Sequence, residues 1–400
     1  MHLTVSLRIL GMLLMLFSSA MLLPLVIAVL DDDSTITGFL TAFSITFLSG
    51  VAMWLPVRHI RHELRIRDGF LITSLFWTVL GVFGSLPFAL TDALQLTAAE
   101  AVFESISGLT TTGATVISGL DTLPASILFY RQLLQWLGGI GIIVVAVAVL
   151  PMLGIGGMQL YKAETPGPSK DNKLTPRITE TAKALFVVYV ALTACCALAY
   201  YAAGMSGFDA ICHAFSTVAI GGFSTHDASM GYFNSNAILL ICSLFMVVSA
   251  INFGLHFTAW RMRSGRVYRR DSETRFFLGV LLVCVSLTCS YLIVSGTLEL
   301  EEGLVHGLFQ AISITTTTGF ATHAASMGYF NSHTILLICS LFMVVSAINF
   351  GLHFTAWRMR SGRIYRRDSE TRFVLGVLLV CISLTCSYLI VSGTLELEEG

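Results

Sequence analysis

Long apolar stretches, interrupted at regular intervals by short basic or hydroxyl-rich ones, make up most of the chain. A helix needs about 20 apolar residues to cross the hydrocarbon core of a bilayer. By that measure residues 8–30, 37–57, 69–91, 126–152, 184–204, 236–260, 276–296, 333–357 and 373–393 predict nine spans. Basic residues gather in four clusters between them: Arg58, Arg61, Arg65 and Arg67; Lys162, Lys170, Lys173, Arg177 and Lys183; Arg261 to Arg275; and Arg358 to Arg372. The positive-inside rule assigns all four clusters, and with them the N-terminus, to the cytoplasm. Two spans and one weakly charged connection separate each cluster from the next. Those three connections are therefore expected on the outer side, as is the acidic run Asp31 to Asp33.

The three connections follow one order: a short helical segment, a Thr/Gly segment, then a polar stretch. The helical pieces "TAAEAVFESISG", "GFDAICHAFS" and "EEGLVHGLFQAIS" reach only about half a bilayer, which predicts re-entrant half-helices. The pieces after them, "SISGLTTTGAT" (105–115), "AFSTVAIGGFSTH" (214–226) and "AISITTTTGFATH" (311–323), superimpose on Gly113, Gly222 and Gly319. Each has a serine six residues before the glycine: Ser107, Ser216 and Ser313. Non-helical backbone at membrane depth is tolerated only where protein or a water-filled cavity surrounds it, so these segments must line something. Glycine admits the positive φ that lets successive carbonyls face one axis, and carbonyl rings replace the water of an ion. The half-helices would add partial negative charge at their C-terminal ends, favouring a cation. The three segments contain no Asp or Glu, whereas a hard divalent ion usually demands carboxylates, so a monovalent cation is expected.

Composition agrees: 55% hydrophobic and 12% charged residues with a mean hydropathy of +0.80 exceed what a soluble core can hide, and the chain is expected to be an all-α polytopic membrane protein in contact with lipid. The net charge of -1 points to no partner, and nothing suggests nucleic acid. Most of the nine cysteines lie inside apolar runs and read as small buried hydrophobes. The N-terminal apolar run lacks a convincing cleavage site and reads as a retained helix. There is no phosphate-binding loop, nucleophile elbow or nucleotide-binding domain, so neither an enzyme nor a bound organic cofactor is expected. Energy would come from an ion gradient, the membrane potential or a separate subunit.

The segment "FYRQLLQWLGGIGIIVVAVAVLPMLGIGGMQLYKAETPGP" (129–168), with "TTTGAT" and "AIGGFSTHDASMGYF", resembles the TrkH-type subunit of bacterial potassium uptake systems, within the Trk/Ktr/HKT superfamily; the resemblance runs from residue 1 to about 322. It implies repeated helix, pore-loop, helix units around one central pore. The division would be a two-helix extension (1–66), three pore repeats (67–165, 166–265 and 266–362, the last with its second helix copied from repeat two) and an incomplete fourth (363–400). It implies potassium as the transported substrate, bound by backbone carbonyls of Thr111, Thr112 and Gly113, of Ile220, Gly221 and Gly222, and of Thr317, Thr318 and Gly319. Serine in place of the first filter glycine accompanies sodium permeation in the superfamily, so Gly113 favours potassium. The resemblance further implies a bacterial inner-membrane location, a homodimer and a cytoplasmic TrkA-like nucleotide-binding regulatory subunit docking on the basic inner loops.

One feature departs from the family. Residues 325–400 repeat residues 228–303 at an offset of 97 with five differences: Asn236/His333, Ala237/Thr334, Val267/Ile364, Phe277/Val374 and Val285/Ile382. A tandem rearrangement, or a misjoined gene sequence, with its junction near "GF(S/A)TH" accounts for this. The helix after the third glycine then lacks the glycine-rich gate of the family, and no fourth filter segment precedes the final "LELEEG". The alternative function is a non-conducting relic that inserts or associates with full-length subunits.

Three smaller features carry two readings each. His226 and His323 are pH-responsive groups at the mouth or solvated loop histidines. Gly138, Gly139 and Gly141 form a hinge or allow close helix packing. Asn252 and Asn349 reach the pore or make interhelical hydrogen bonds.

Overall fold

The computed structural model describes residues 3–59, 66–141, 178–294 and 300–323, with isolated Leu379 and Ser383. Among these residues the chain is helical, with no strand. Apart from Leu379 and Ser383, the expected spans 333–357 and 373–393 and the expected fourth repeat lie outside the described residues, as do Asn349 and the latter half of 126–152.

The first apolar run forms α1 (Leu3–Ala20) and α2 (Leu22–Leu30). They adjoin at Met21, just before Pro24, whose missing N–H cannot bond the preceding turn. Together Thr4–Leu30 is long and apolar enough to cross a membrane, as are Ile36–Val57, Lys183–Ala202 and Ser272–Val294. An Asp33 carboxylate ties the α2–α3 corner, accepting from Thr35 N (2.7 Å) and from Ser126 Oγ (2.6 Å) of a distant helix. Helix α3 (Ile36–Trp54) lies against α1 so closely that a Cβ on Gly11 would stand 2.7 Å from the Gly50 carbonyl oxygen. Small residues at such crossings let lipid-embedded helices gain van der Waals contact.

Helices α4 (Ile66–Gly84) and α5 (Leu86–Ala89) break at Ser85. The short α6 (Ala98–Leu109) follows, and then α7 (Ala125–Ile140). Buried Ile9, Leu14, Phe39, Phe88 and Tyr130 form one core joining α1, α3, α5 and α7. The second half contains α8 (Ile178–Ala202), the short α9 (Gly207–Ala219), α10 (Asn236–Ala250), α11 (Phe253–Met262), α12 (Arg266–Arg270), α13 (Ser272–Val294) and α14 (Leu300–Thr315). A second core, including Tyr189, Tyr200, Met246, Phe277 and Phe309, joins α8, α9, α10, α13 and α14, with Phe253 of α11 packed against it. Of the six described cysteines, five are buried and all are free.

Two expectations are resolved here. Residues 236–260 are not one straight span: α10 and α11 meet at an angle of 91°. Ile251 is extended, and Asn252 Oδ1 accepts the Gly254 N–H at 2.8 Å, so Asn252 starts a new helix as its N-cap. His256 reinforces the corner by bonding back to the Val248 carbonyl (2.9 Å) and to Tyr268 Oη (2.9 Å). The glycines of α7 serve close packing. A Cβ on Gly138 would meet the Leu109 carbonyl oxygen at 1.8 Å, and one on Gly139 would meet Tyr189 Oη at 2.5 Å. Gly141 caps the helix end at φ +51.

Candidate functional site

Helices α6, α9 and α14, with 12, 13 and 16 residues, run for roughly 18 to 24 Å, short of a bilayer crossing. Side chains fix the starts of the first two. Thr97 and Glu100 form a reciprocal capping box at α6, and Ser206 Oγ accepts the Asp209 N–H (3.0 Å) at α9. Each of the three helices then ends in the same backbone figure. Thr111, Ile220 and Thr317 have φ of +56, +55 and +62, and the glycines two residues on, Gly113, Gly222 and Gly319, have φ of +78, +79 and +88. The residues between them, Thr112, Gly221 and Thr318, keep negative φ and donate their N–H to the carbonyls of Ser107 (2.9 Å), Ser216 (2.9 Å) and Ser313 (2.8 Å). The serine noticed six residues before each glycine therefore supplies the carbonyl that ties the turn down.

The three figures meet one another in order. A Cβ on Gly113 would lie 2.1 Å from the Gly221 carbonyl oxygen and 3.4 Å from that of Thr318, and a Cβ on Gly222 would lie 2.0 Å from Thr318 O. Glycine of the first loop thus abuts a carbonyl of the second, and glycine of the second abuts a carbonyl of the third. No described heavy atom comes within 4 Å of a Cβ placed on Gly319. Nine residues named from the sequence are thus brought together as three backbone turns in mutual contact.

Beside this contact lies an ion pair between α6 and α7. Glu104 of α6 and Arg131 of α7 are fully buried, with Arg131 Nε 2.8 Å from Glu104 Oε1. Arg131 also donates to the Ser224 carbonyl (3.0 Å) and Thr115 Oγ1 (3.1 Å), and its guanidinium stands 4.3 Å from the centre of the Phe223 ring. Glu104 accepts the Thr115 hydroxyl (2.9 Å) and the Val116 N–H (3.0 Å). One charge pair therefore clasps the segments that leave the first and second glycines. The signal was present: Arg131 and Gln135 sit four apart on one face of a mostly apolar helix, and charge within such a segment marks a functional position.

The sequence profile of the family described as TrkH, cation transport protein, matches residues 36–298 and 278–391. The chain belongs to the TrkH family. Its Halomonas elongata relative, Trk system potassium uptake protein TrkH, is 59% identical over 321 residues, covering 80% of this chain and 67% of that protein. The Vibrio parahaemolyticus TrkH is 55% identical over 79% of this chain and 66% of its own length. The crystal structure of the potassium transporter TrkH from Vibrio parahaemolyticus superimposes with a TM-score of 0.74 at 46% identity, covering 87% of this chain and 70% of that one. The chain therefore spans about two thirds of the length of these TrkH relatives. They are transporters, not enzymes, and the TrkH assignment together with the apolar helices makes this a membrane protein.

Past the second glycine of this TrkH-family chain, His226 is not a solvated loop histidine. Its Nδ1 is 2.5 Å from Asp121 Oδ1, Nε2 is 3.4 Å from Asp209 Oδ1, and its ring stacks on Tyr232. Asp227, next to it, accepts the Gly119 N–H at 3.1 Å, so this corner joins the first loop to the second. Burial alone would lower the His226 pKa, but the Asp209 and Asp121 carboxylates outweigh it and hold the group above the ordinary 6.5. Its contribution is complete below the unfolded-state value and is lost as pH rises through the higher folded-state value. The thermal unfolding midpoint in detergent is expected to fall as pH is raised from about 6 to about 9, the range in which a histidine with a raised pKa gives up its charge. His226→Asn should flatten that slope; an unchanged slope would show that the histidine contacts do not bear on stability.

Proposed function

We propose that the chain carries potassium across a bacterial inner membrane through a ring of backbone carbonyls contributed by Thr111, Thr112 and Gly113, Ile220, Gly221 and Gly222, and Thr317, Thr318 and Gly319. The observation that carries this reading is the repeated backbone figure: positive φ at one residue, negative at the next and positive at glycine, three times over, with glycine against carbonyl between loops. Alternation of this kind turns successive carbonyls toward a common side, and carbonyl dipoles at fixed positions are what a dehydrated monovalent cation requires. The half-helix C-termini behind each figure add partial negative charge. The relatives are potassium uptake proteins, which supports potassium as the substrate.

In the same reading the chain has nine spans with its N-terminus inside, divided into an extension (1–66), pore repeats (67–165, 166–265 and 266–362) and a partial fourth repeat (363–400). It works beside membrane lipid as a homodimer with a cytoplasmic TrkA-like nucleotide-binding subunit. Rubidium-86 uptake into proteoliposomes containing the purified chain tests the function. Uptake suppressed by potassium and spared by equal sodium is the expected result. Vesicles with matched protein content that take up no more rubidium than empty ones would overturn it.

A further inference from the structure

The three loops are alike in backbone but not in what braces them. In the first, Ser107 Oγ donates to the Ala114 carbonyl seven residues on (2.5 Å); in the third, Ser313 Oγ does the same to Phe320 (2.8 Å). In both, the threonine before the glycine is pinned by a neighbouring hydroxyl: Thr112 by Thr110 and Thr318 by Thr316, each at 2.8 Å. The second loop has neither device. Its residue before the glycine is Gly221, and Ser216 Oγ donates to the side chain of Gln135 instead, at 2.6 Å.

Gln135 is fully buried and reaches across from α7. Its Oε1 accepts both the Ser216 hydroxyl and the Phe223 N–H (3.1 Å), and its Nε2 donates to the Gly221 carbonyl at 2.6 Å. A Cβ on Gly221 would meet Gln135 Cδ at 2.4 Å, so the amide occupies the space that a threonine side chain takes in the other two loops. The carbonyl it holds is also the one facing Gly113 across the seam between loops one and two. A carbonyl that accepts a strong hydrogen bond is fixed in direction and has less electron density to offer an ion.

We infer that Gln135 is a positioning residue that sets the direction and strength of the Gly221 carbonyl, making the second loop an unequal contributor to ion selection. The assignment rests on reading the loops as an ion filter. It predicts that the brace can be moved back into the loop: Gln135→Ala empties the space, and Gly221→Thr refills it with the residue type the other loops use.

The test measures potassium and sodium competition against rubidium-86 uptake in proteoliposomes, with potassium-dependent thermal stabilisation in detergent as a second readout. Gln135→Ala should lower the potassium-to-sodium preference about tenfold, the change in equilibrium that roughly one net hydrogen bond supplies. Gly221→Thr alone should be worse, because it collides with Gln135. The pair Gln135→Ala/Gly221→Thr should recover most of the preference, which a merely structural gap would not do. Should Gln135→Ala fail to reach the membrane, Gln135→Met keeps about the same size, has no donor for the Gly221 carbonyl, and should show the same loss of preference. Wild-type preference in Gln135→Ala or Gln135→Met, or no recovery in the double variant, would overturn the inference. A wild-type protein indifferent to potassium against sodium in both readouts would instead overturn the filter reading on which it stands.

Discussion

Gly113→Ser is expected to remove most of the preference for potassium over sodium while leaving the protein in the membrane. Two costs combine. At φ +78 a side chain is strained by roughly 1–2 kcal/mol whatever surrounds it. In addition, its Cβ would stand 2.1 Å from the Gly221 carbonyl oxygen, a distance no packing tolerates, so the first and second loops must separate. Overpacking of this kind costs about 1–3 kcal/mol, and the relief it forces is displacement of a proposed ligand carbonyl. Gly222→Ser meets Thr318 O at 2.0 Å at φ +79 and should behave alike. Gly319→Ser, at φ +88, carries the conformational cost without a collision against a described atom of the other two loops, and should be milder than either. Rubidium-86 uptake with competing potassium or sodium, at matched membrane expression, ranks them. If all three lose preference equally, or Gly113→Ser loses none, the seam between loops does not set selectivity.

What the sequence reveals and what it hides follow from the reach of each signal. Hydropathy is local and additive, so α3, α8 and α13 lie close to the spans expected at 37–57, 184–204 and 276–296, and α6, α9 and α14 are the short helices that three truncated apolar segments call for. The break between α10 and α11 was hidden because the apolar run continues across it, with Ile251 before and Phe253 after Asn252. The bend comes from one amide, Asn252, capping a new helix, and hydropathy weighs that residue without seeing its bond to Gly254. The repeated Ser–Gly spacing was legible because it belongs to one turn of chain. The contributions of Glu104, Arg131 and Gln135 were not, because their partners lie between 11 and 93 residues away. Arg131 and Gln135 did leave traces: a charge inside a membrane helix for the first, and for the second a loop with glycine where the others have threonine, so that something outside it has to replace the missing side chain.

Arg131→Met is expected to destabilise the protein by about 3–5 kcal/mol, the usual cost of stripping one partner from a buried ion pair. The source is the survivor more than the lost attraction. Glu104 would remain in a site with no solvent exposure, its charge answered only by the Thr115 hydroxyl and the Val116 N–H. Arg131 also holds the Ser224 carbonyl and lies over Phe223, so the segment leaving Gly222 loosens with it. Glu104→Gln should be harmful for the mirror reason, leaving a buried guanidinium beside a neutral amide. The double variant Arg131→Met/Glu104→Gln contains no unpaired charge, and its loss should be smaller than the two single losses combined. Thermal unfolding in detergent gives the stability order, and the potassium-to-sodium preference measured on the same samples shows whether the clasp transmits to the loops. Additive losses in the double variant would mean that the two groups act separately. A wild-type midpoint for Arg131→Met would mean that the remaining contacts, among them the His226 and Asp227 corner, hold loops one and two together, and the ion pair is incidental to them.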